Sequence, residues 1–410
     1  MLNYMQDYYL LPDDIVKNQH DVPSEVVETF SKLANDLHCD LQQLIDVLLN
    51  EKYVERGHSG KLSKWTRSIY YLLRPFMGVG FRRYLQRAAL RGWDAIPFPH
   101  WPVDTTIDDL MRLFLASIIK NDKTECIPFV WFWPKGFDSC VIMTHDVESQ
   151  HGLSFCGELM DIDDSFGIKS SFQLIPERRY HISANELELF RDRSFEINVH
   201  DLNHDGHLFE DEATFLSRIE QINKYGKDFG ARGFRSGVLY RRQEWYSSLK
   251  FSYDMSVPNV AHLDPQKGGC CSVFPYYIDG VLEIPLTTIQ DYSLLCVLND
   301  YSTKIWNVQC GIISDRNGLM SFNVHPDYIR DKRAMSVYQD LLGHIRDELI
   351  GNRRSWHTLP GRLADWWKLR QGFRLEIVNG NWEVTGPGCE NAAVGFATLR
   401  DGALRLWSNS

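Results

Sequence analysis

Apolar and polar positions follow two alternating periods along the middle of the chain. Short apolar runs of strand length recur between longer segments with helical periodicity. The predicted strands are Cys140–Thr144, Ser170–Ile175, Phe195–Val199, Arg232–Arg235, Phe251–Asp254, Leu282–Leu286 and Leu319–Val324. The predicted helices lie near residues 157–166, 184–192, 211–229, 243–250, 300–313 and 330–350. Repeated strand-helix alternation is typical of a parallel sheet, and this many units favour a closed or nearly closed barrel.

The segments on either side of this pattern differ from it. Residues 1–106 are predicted to form a helical N-terminal extension, with an amphipathic segment opening at Ser24 and an apolar stripe at Leu41–Leu49. The barrel is expected to span residues 107–370. Residues 371–410 contain short alternating runs separated by glycines, which predicts a small C-terminal β appendage whose tryptophans pack against the barrel.

A basic arm at residues 61–91 stands out within the extension. It contains eight cationic residues and no acidic one, with aromatic residues between them. This pattern is typical of a segment that contacts the surface of an anionic membrane. It is equally typical of a helix that packs against the core and exposes its other face to solvent. Liposome flotation distinguishes the two, because the membrane hypothesis predicts weaker binding after Arg82→Glu and Arg83→Glu.

Composition narrows the function and the compartment. The 410 residues carry a net charge of -10, which argues against nucleic acid as the main partner. Nine cysteines without a C-x-x-C pair indicate a reducing cytoplasm. The sequence shows neither a signal peptide pattern nor an apolar run of membrane-spanning length, so a cytoplasmic or membrane-peripheral location is expected.

The candidate chemistry begins at the end of the first strand. Asp146 and Glu148 share one side of that strand because successive side chains alternate faces. His200 and His204 are four residues apart, and on a helical turn they would reach one cation. Carboxylate and imidazole ligands suit Zn²⁺ or a neighbouring divalent metal. The alternative is that these residues are turn formers, helix caps and surface histidines.

Three further polar residues fall at predicted strand ends, where barrel enzymes carry their catalytic groups. They are Arg235, Asp254 and His325. Each has a second interpretation: Arg235 as a structural cation for buried carboxylates, Asp254 as a turn former, and His325 as a hydrogen-bonded core histidine.

The region from Val141 to His325 resembles the polysaccharide deacetylase family, carbohydrate esterase family four. Five motifs carry the resemblance: Thr144-His145-Asp146-Val147 resembles T-F-D-D, His200 to His204 resembles H-S/T-x-x-H, Arg235-Ser236-Gly237 partly matches R-x-P-Y, Asp254-Met255-Ser256 suggests the fourth, and Phe322-Asn323-Val324-His325 resembles L-x-I-H. The chain departs from the family at Val147, where many members have the metal-binding aspartate, and lacks the proline and tyrosine that follow the arginine of the third motif.

The resemblance implies a distorted (β/α)7 barrel and a set of roles. Asp146 would be the catalytic base, His325 the catalytic acid, Arg235 the residue that holds the base, and Asp254 a support for the acid or base. His200 and His204 would bind the metal, with Glu148 supplying the carboxylate in place of Val147. Zn²⁺ is the expected metal, with Co²⁺, Ni²⁺ and Mn²⁺ as alternatives.

The function that follows is a metal-dependent amide hydrolase that removes an N-acetyl group from a sugar or glycan intermediate in surface-polysaccharide biosynthesis. The sugar comes from the resemblance alone. Two alternatives stay open: hydrolysis of a small non-sugar amide or formamide at the same site, and a catalytically inactive barrel that binds a glycan or a partner. The H-x-x-x-H spacing also occurs in zinc proteases, but their intervening glutamate is absent here, which disfavours proteolysis.

Overall fold

A computed structural model describes residues 1–12, 14–15, 21–56 and 90–409. Apart from residues 90 and 91, the basic arm for which membrane contact was predicted lies outside these ranges. Within them, no helix combines the length and the apolar character needed to cross a membrane. The strands are β1 Ile127–Val130, β2 Ser139–Val147, β3 Ser170–Leu174, β4 Glu196–His200, β5 Gly233–Arg235, β6 Tyr253–Asp254, β7 Tyr276–Ile278, β8 Val281–Glu283, β9 Leu319–Asn323, β10 Ser355–His357, β11 Arg374–Val378, β12 Asn381–Thr385, β13 Val394–Arg400 and β14 Ala403–Ser408.

The central sheet is a distorted (β/α)7 barrel, as predicted. Its seven parallel strands follow the order β9, β2, β3, β4, β5, β6, β8, and β7 and β10 are added to them. Side-chain hydrogen bonds join the segment that follows β8 to strand β9. Thr287 Oγ1 donates to Leu319 O at 2.7 Å, and Thr288 Oγ1 donates to Ser321 O at 2.8 Å. The barrel is therefore drawn together at this point by threonine side chains.

Helices alternate with the barrel strands and also form the N-terminal region, whereas the chain ends in strands β11–β14. The α-helices are Leu2–Tyr9, Ser24–Asp36, Leu44–Leu49, Lys52–Arg56, Thr106–Asn121, Gln150–Ser165, Ala184–Asp192, Glu212–Asp228, Lys304–Ser314, Lys332–His344 and Pro360–Arg370. Residues Tyr292–Leu298 and Ile345–Asn352 are π-helical. Short 3₁₀ turns are Leu41–Gln43, Trp93–Ala95, Pro134–Gly136, Gly237–Leu239, Gln243–Ser248 and Cys389–Asn391. The helix predicted near residues 243–250 is thus a 3₁₀ segment.

Local sequence explains where several of the barrel helices begin. Ser149, Asp211 and Asp331 each accept hydrogen bonds from backbone N–H groups of the first turn. Ser183 and Glu186 form a reciprocal capping box. These side chains satisfy N–H groups that have no partner inside the helix. Each helix therefore starts at a defined distance after the preceding strand, which fixes the loops at the carboxyl ends of the strands.

The two terminal regions are attached to the barrel. Glu51 accepts hydrogen bonds from the Arg241 guanidinium, and both side chains are buried. Tyr53 Oη donates to Gly269 O at 2.7 Å. At the other end of the chain, β13 pairs antiparallel with β1, and β14 pairs with β13. Neither the four-residue β1 nor the three-residue β10 stood out in the sequence, because such short strands carry little periodicity.

Candidate functional site

Strand β2 carries the first two site residues to its carboxyl end. Asp146 lies within β2, and Glu148 follows it on the same side, while Val147 between them is buried in the core. His325, beyond the end of β9, faces both carboxylates. Its Nε2 lies 3.9 Å from Asp146 Oδ2 and 3.9 Å from Glu148 Oε1. Both carboxylates thus lie on the side of β2 that faces His325.

Two hydrogen-bond donors, one cationic and one neutral, hold the carboxylate of Asp146. Arg235 Nη1 donates to Oδ1 at 2.9 Å, and Asn323 Nδ2 donates to Oδ2 at 2.8 Å. Burial alone would raise the pKa of Asp146, but the charges of Arg235 and His325 and the hydrogen bond from Asn323 hold it well below its ordinary value. The carboxylate is therefore ionised and able to accept a proton.

Arg235 is itself fixed on several sides. Its Nε donates to Met255 O at 2.9 Å, and its Nη1 also reaches Thr144 Oγ1 at 2.9 Å. The side chain is fully buried. Both interpretations of Arg235 apply at once, because the same guanidinium neutralises a buried carboxylate and sets its orientation.

His200 and His204 come together by a loop, and the predicted helical turn is wrong. His200 ends β4, and the following residues Asp201 and His204 adopt left-handed backbone angles, with φ of 59° and 53°. Asp201 N donates to Arg235 O at 2.9 Å, so the loop turns across the end of β5 instead of coiling. The two imidazole rings still lie 4.9 Å apart. Left-handed residues other than glycine are strained and concentrate at functional sites.

Gly237 explains one departure from the family motif. A Cβ at this position would lie 2.5 Å from Asp201 Oδ2 and 3.2 Å from His204 Cδ2. The space that a proline ring would need is therefore taken by the histidine loop. Glycine at 237 allows His204 to approach the end of β5.

The two histidines present nitrogen atoms that have no partner. Nε2 of His200 and Nε2 of His204 are buried, and neither makes a hydrogen bond to any described residue. His200 Nδ1 lies 3.1 Å from Arg235 O, which directs Nε2 inward. Burial lowers the pKa of His200, and it lowers that of His204 to about 4. Both rings are thus neutral at physiological pH, the form that binds metals.

The carboxylate and imidazole groups are of the types that bind a divalent metal, although their distances from one another are longer than in a bound metal site. Glu148 Oε1 is 3.5 Å from His204 Nε2, while two ligands of a tetrahedral zinc ion lie about 3.3 Å apart. Asp146 Oδ2 is 4.0 Å from His200 Nε2. As these side chains stand, no three His, Cys, Asp or Glu residues in the described ranges enclose a metal position.

His325 differs from the other two histidines in its charge. Its Nδ1 lies 2.6 Å from Asp291 Oδ1, and its backbone N–H donates to Asp291 Oδ2 at 2.9 Å. Burial would lower the pKa of His325, but Asp291, Glu148 and Asp146 raise it to about 10. His325 is therefore protonated at neutral pH, and its Nε2 can donate a proton. Sequence reasoning missed Asp291, which lies outside the five motifs.

Asp254 makes contacts away from the residues that it is expected to support. Its carboxylate accepts hydrogen bonds from Ser256 N and Ser256 Oγ, both at 2.8 Å. It lies opposite Glu283 in the pairing of β6 with β8. The side chain that contacts His325 is Asp291, and those that contact Asp146 are Asn323 and Arg235. The contacts of Asp254 agree with its second interpretation, a turn former at the end of a strand.

The site opens to solvent at Glu148, whose side chain is 22% exposed. Tyr328 Oη donates to Glu148 Oε2 at 2.6 Å, and Arg179 Nη2 donates to His204 O at 2.5 Å. Deeper in the barrel, Asp146 and the two metal-ligand candidates of the loop are buried. A substrate would therefore approach past the glutamate.

No family model matches this sequence. No curated protein matches it either. Solved structures do resemble it. A Mycobacterium smegmatis protein assigned as a polysaccharide deacetylase is 16% identical, covers 59% of this chain and 94% of its own, and has a TM-score of 0.46. An allantoinase is 11% identical, with coverages of 57% and 92% and a TM-score of 0.44. A peptidoglycan deacetylase from Bacillus subtilis is 11% identical, with coverages of 59% and 96% and a TM-score of 0.37. These structures include polysaccharide deacetylases, the family indicated by the motifs.

Proposed function

We propose that this protein hydrolyses an amide bond with the help of a divalent metal, Zn²⁺ in the first place, and that its substrate is an N-acetylated sugar or glycan intermediate of surface-polysaccharide biosynthesis. One observation carries the proposal. Two ionised carboxylates face three histidines; two of these are neutral, with Nε2 atoms that make no hydrogen bond within the described part of the chain, and one is protonated. A site that needed only structural polar contacts would not keep three neighbouring histidines in two protonation states.

Glu148, His200 and His204 would hold the metal. When bound, a divalent metal polarises the amide carbonyl and lowers the pKa of water. Asp146 accepts the proton that the attacking water loses as its oxygen bonds to the carbonyl carbon. Arg235 and Asn323 hold the carboxylate in the orientation needed for this transfer.

Cleavage of the carbon-nitrogen bond requires a proton on the leaving nitrogen. His325 Nε2 points to the same side as Asp146 Oδ2, 3.9 Å away, and Asp291 keeps the ring charged. His325 therefore gives its proton to the amine, and the products are acetate and a free amino sugar. The proposed base lies on β2 and the proposed acid follows the end of β9, and these two strands are direct neighbours in the barrel.

The experiment is acetate release from N-acetylated substrates. We expect hydrolysis of at least one amino sugar carrying an N-acetyl group, loss of activity after chelation, and recovery with Zn²⁺, Co²⁺, Ni²⁺ or Mn²⁺. Hydrolysis of small non-sugar amides or formamides alone would replace the sugar with that substrate class. Metal binding without hydrolysis of any amide would identify an inactive binding barrel and contradict the proposal.

A further inference from the structure

The loop after β9 is hydrogen-bonded to the segment that follows β2. Asp327 Oδ2 accepts a hydrogen bond from Glu148 N at 2.9 Å, and Ser149 Oγ donates to Asp327 Oδ1. A Cβ at Gly152 would lie 2.2 Å from Asp327 Oδ2, so the absence of a side chain there lets the loop approach. The backbone at Glu148 is therefore positioned by the segment that also carries His325.

The same loop places the two oxygens of the Glu148 carboxylate in different surroundings. Tyr328 Oη donates to Oε2 at 2.6 Å. The other oxygen, Oε1, faces His204 Nε2 at 3.5 Å and His325 Nε2 at 3.9 Å. One oxygen is thus engaged by a phenol, and the other is turned towards the histidines.

Glu148 needs such a restraint because of where it lies. Val147 occupies the position at which the resembled motif has an aspartate, and its side chain is buried in the core. The carboxylate comes instead from the next residue, which has one more methylene than aspartate and is partly exposed. A longer, partly exposed side chain loses more rotamer freedom when it is fixed.

We propose that Tyr328 is a positioning residue that fixes Glu148 so that Oε1 alone is presented to the metal beside His204. The proposal deepens the proposed function and rests on it. The Tyr328 ring is also held, since it lies 5.1 Å from the His325 ring and 5.1 Å from the Tyr292 ring. The phenol therefore comes from a fixed support, as outer partners of metal ligands do.

The test compares Tyr328→Phe with the full-length wild-type chain. The substitution removes one hydroxyl and keeps the ring. Zn²⁺ affinity is measured by competition with a chelating indicator, and the visible spectrum of the Co²⁺ form is recorded. We expect affinity to fall by about 10 to 100-fold and the Co²⁺ bands to change. Tyr225→Phe is the matched control, because Tyr225 Oη donates to Glu177 Oε1 at 3.2 Å on the outer helix Glu212–Asp228, and we expect its metal affinity to be unchanged.

A double-mutant cycle shows whether Tyr328 acts through Glu148. In a Glu148→Gln background, Tyr328→Phe should cause little further loss of metal affinity, because the carboxylate that it positions is gone. An equal loss in both backgrounds would overturn the inference, as would a Tyr328→Phe protein with wild-type affinity and spectrum. In that case the proposed function stands. A wild-type chain that binds none of the four metals would overturn both.

Discussion

Two pairs of carboxylates lie at the carboxyl ends of strands in one barrel, and their surroundings give them opposite properties. Asp146 pairs with Arg235, and both Asp146 and Glu148 face histidines. Burial would raise the pKa of Glu148, but His204, His325 and the hydrogen bond from Tyr328 lower it to about 2. Asp254 and Glu283 face each other. Burial raises the pKa of both, and for Glu283 the charge of Asp254 raises it further. The first pair is ionised, whereas the second holds a proton.

The difference shows that a strand-end position alone does not define a catalytic carboxylate. Glu283 accepts a hydrogen bond from Val257 N at 3.0 Å through Oε1, and a hydrogen bond joins the Glu283 and Asp254 carboxyl groups. Two buried carboxyl groups without a cation between them stabilise a shared proton. What distinguishes the catalytic pair is the set of cationic and imidazole side chains contributed by other strands.

The strongest contrast between the pairs is expected in catalysis. Asp146→Asn removes the proton acceptor, and we expect acetate release to fall by roughly 10² to 10⁴-fold. Asp254→Asn keeps the shape of a buried side chain outside the site, so its activity should stay within the same order of magnitude as wild type. Comparable losses in the two folded variants would erase the proposed distinction.

The acid side of the first pair is expected to show the next largest effect. Asp291→Asn leaves His325 without its carboxylate partner, which weakens the protonated form, and acetate release should fall on the order of 10²-fold. Asp46→Asn serves as the control, because the exposed Asp46 pairs with Lys52 at 2.7 Å in the N-terminal region, outside the site. Unchanged hydrolysis in Asp291→Asn would show that His325 is not the acid.

The second pair is expected to affect how the free energy of unfolding depends on pH. Because the folded-state pKa of Glu283 is raised, the native state keeps a proton that the unfolded chain releases above about pH 4.3. The free energy of unfolding should therefore be greatest in mild acid and fall as the pH rises towards the folded-state pKa. Glu283→Gln should flatten this decline between pH 5 and 8, because the residue that keeps the proton in the native state no longer titrates.

Urea unfolding at several pH values measures this effect. Glu244→Gln is the matched control, because Glu244 is exposed and its neutralisation should leave the pH dependence as in wild type. If Glu283→Gln showed the wild-type decline, the two carboxyl groups would not share a proton in the folded state.

The sequence predicted the parts of the site that carry strong local patterns. Asp146 and Glu148 follow an apolar run, and His325 ends another, so their strand-end positions could be inferred. Asn323, the last residue of β9, could also have been predicted, since side chains two residues apart in an extended chain share a face and His325 follows at that spacing. The resembled motif, however, carries only the histidine.

The missed contacts depend on long-range packing. Asp291 follows β8 at the start of a π-helical segment, and nothing in its local sequence marks it as the partner of His325. The helical turn predicted for His200 and His204 failed because the loop is tied to β5 through Asp201 N and Arg235 O. Likewise, the pairing of β1 with β13 joins residues more than 250 positions apart. Such contacts are set by the folded barrel, and residue spacing alone does not determine them.

Anomalous diffraction from crystals soaked with Zn²⁺, with data collected on both sides of the zinc absorption edge, tests the central claim most directly. The account predicts one strong peak bonded to Glu148 Oε1, His200 Nε2 and His204 Nε2, close to Asp146, and no zinc between Asp254 and Glu283. A crystal without zinc at the two histidines, or with zinc only at the Asp254 and Glu283 pair, would contradict it.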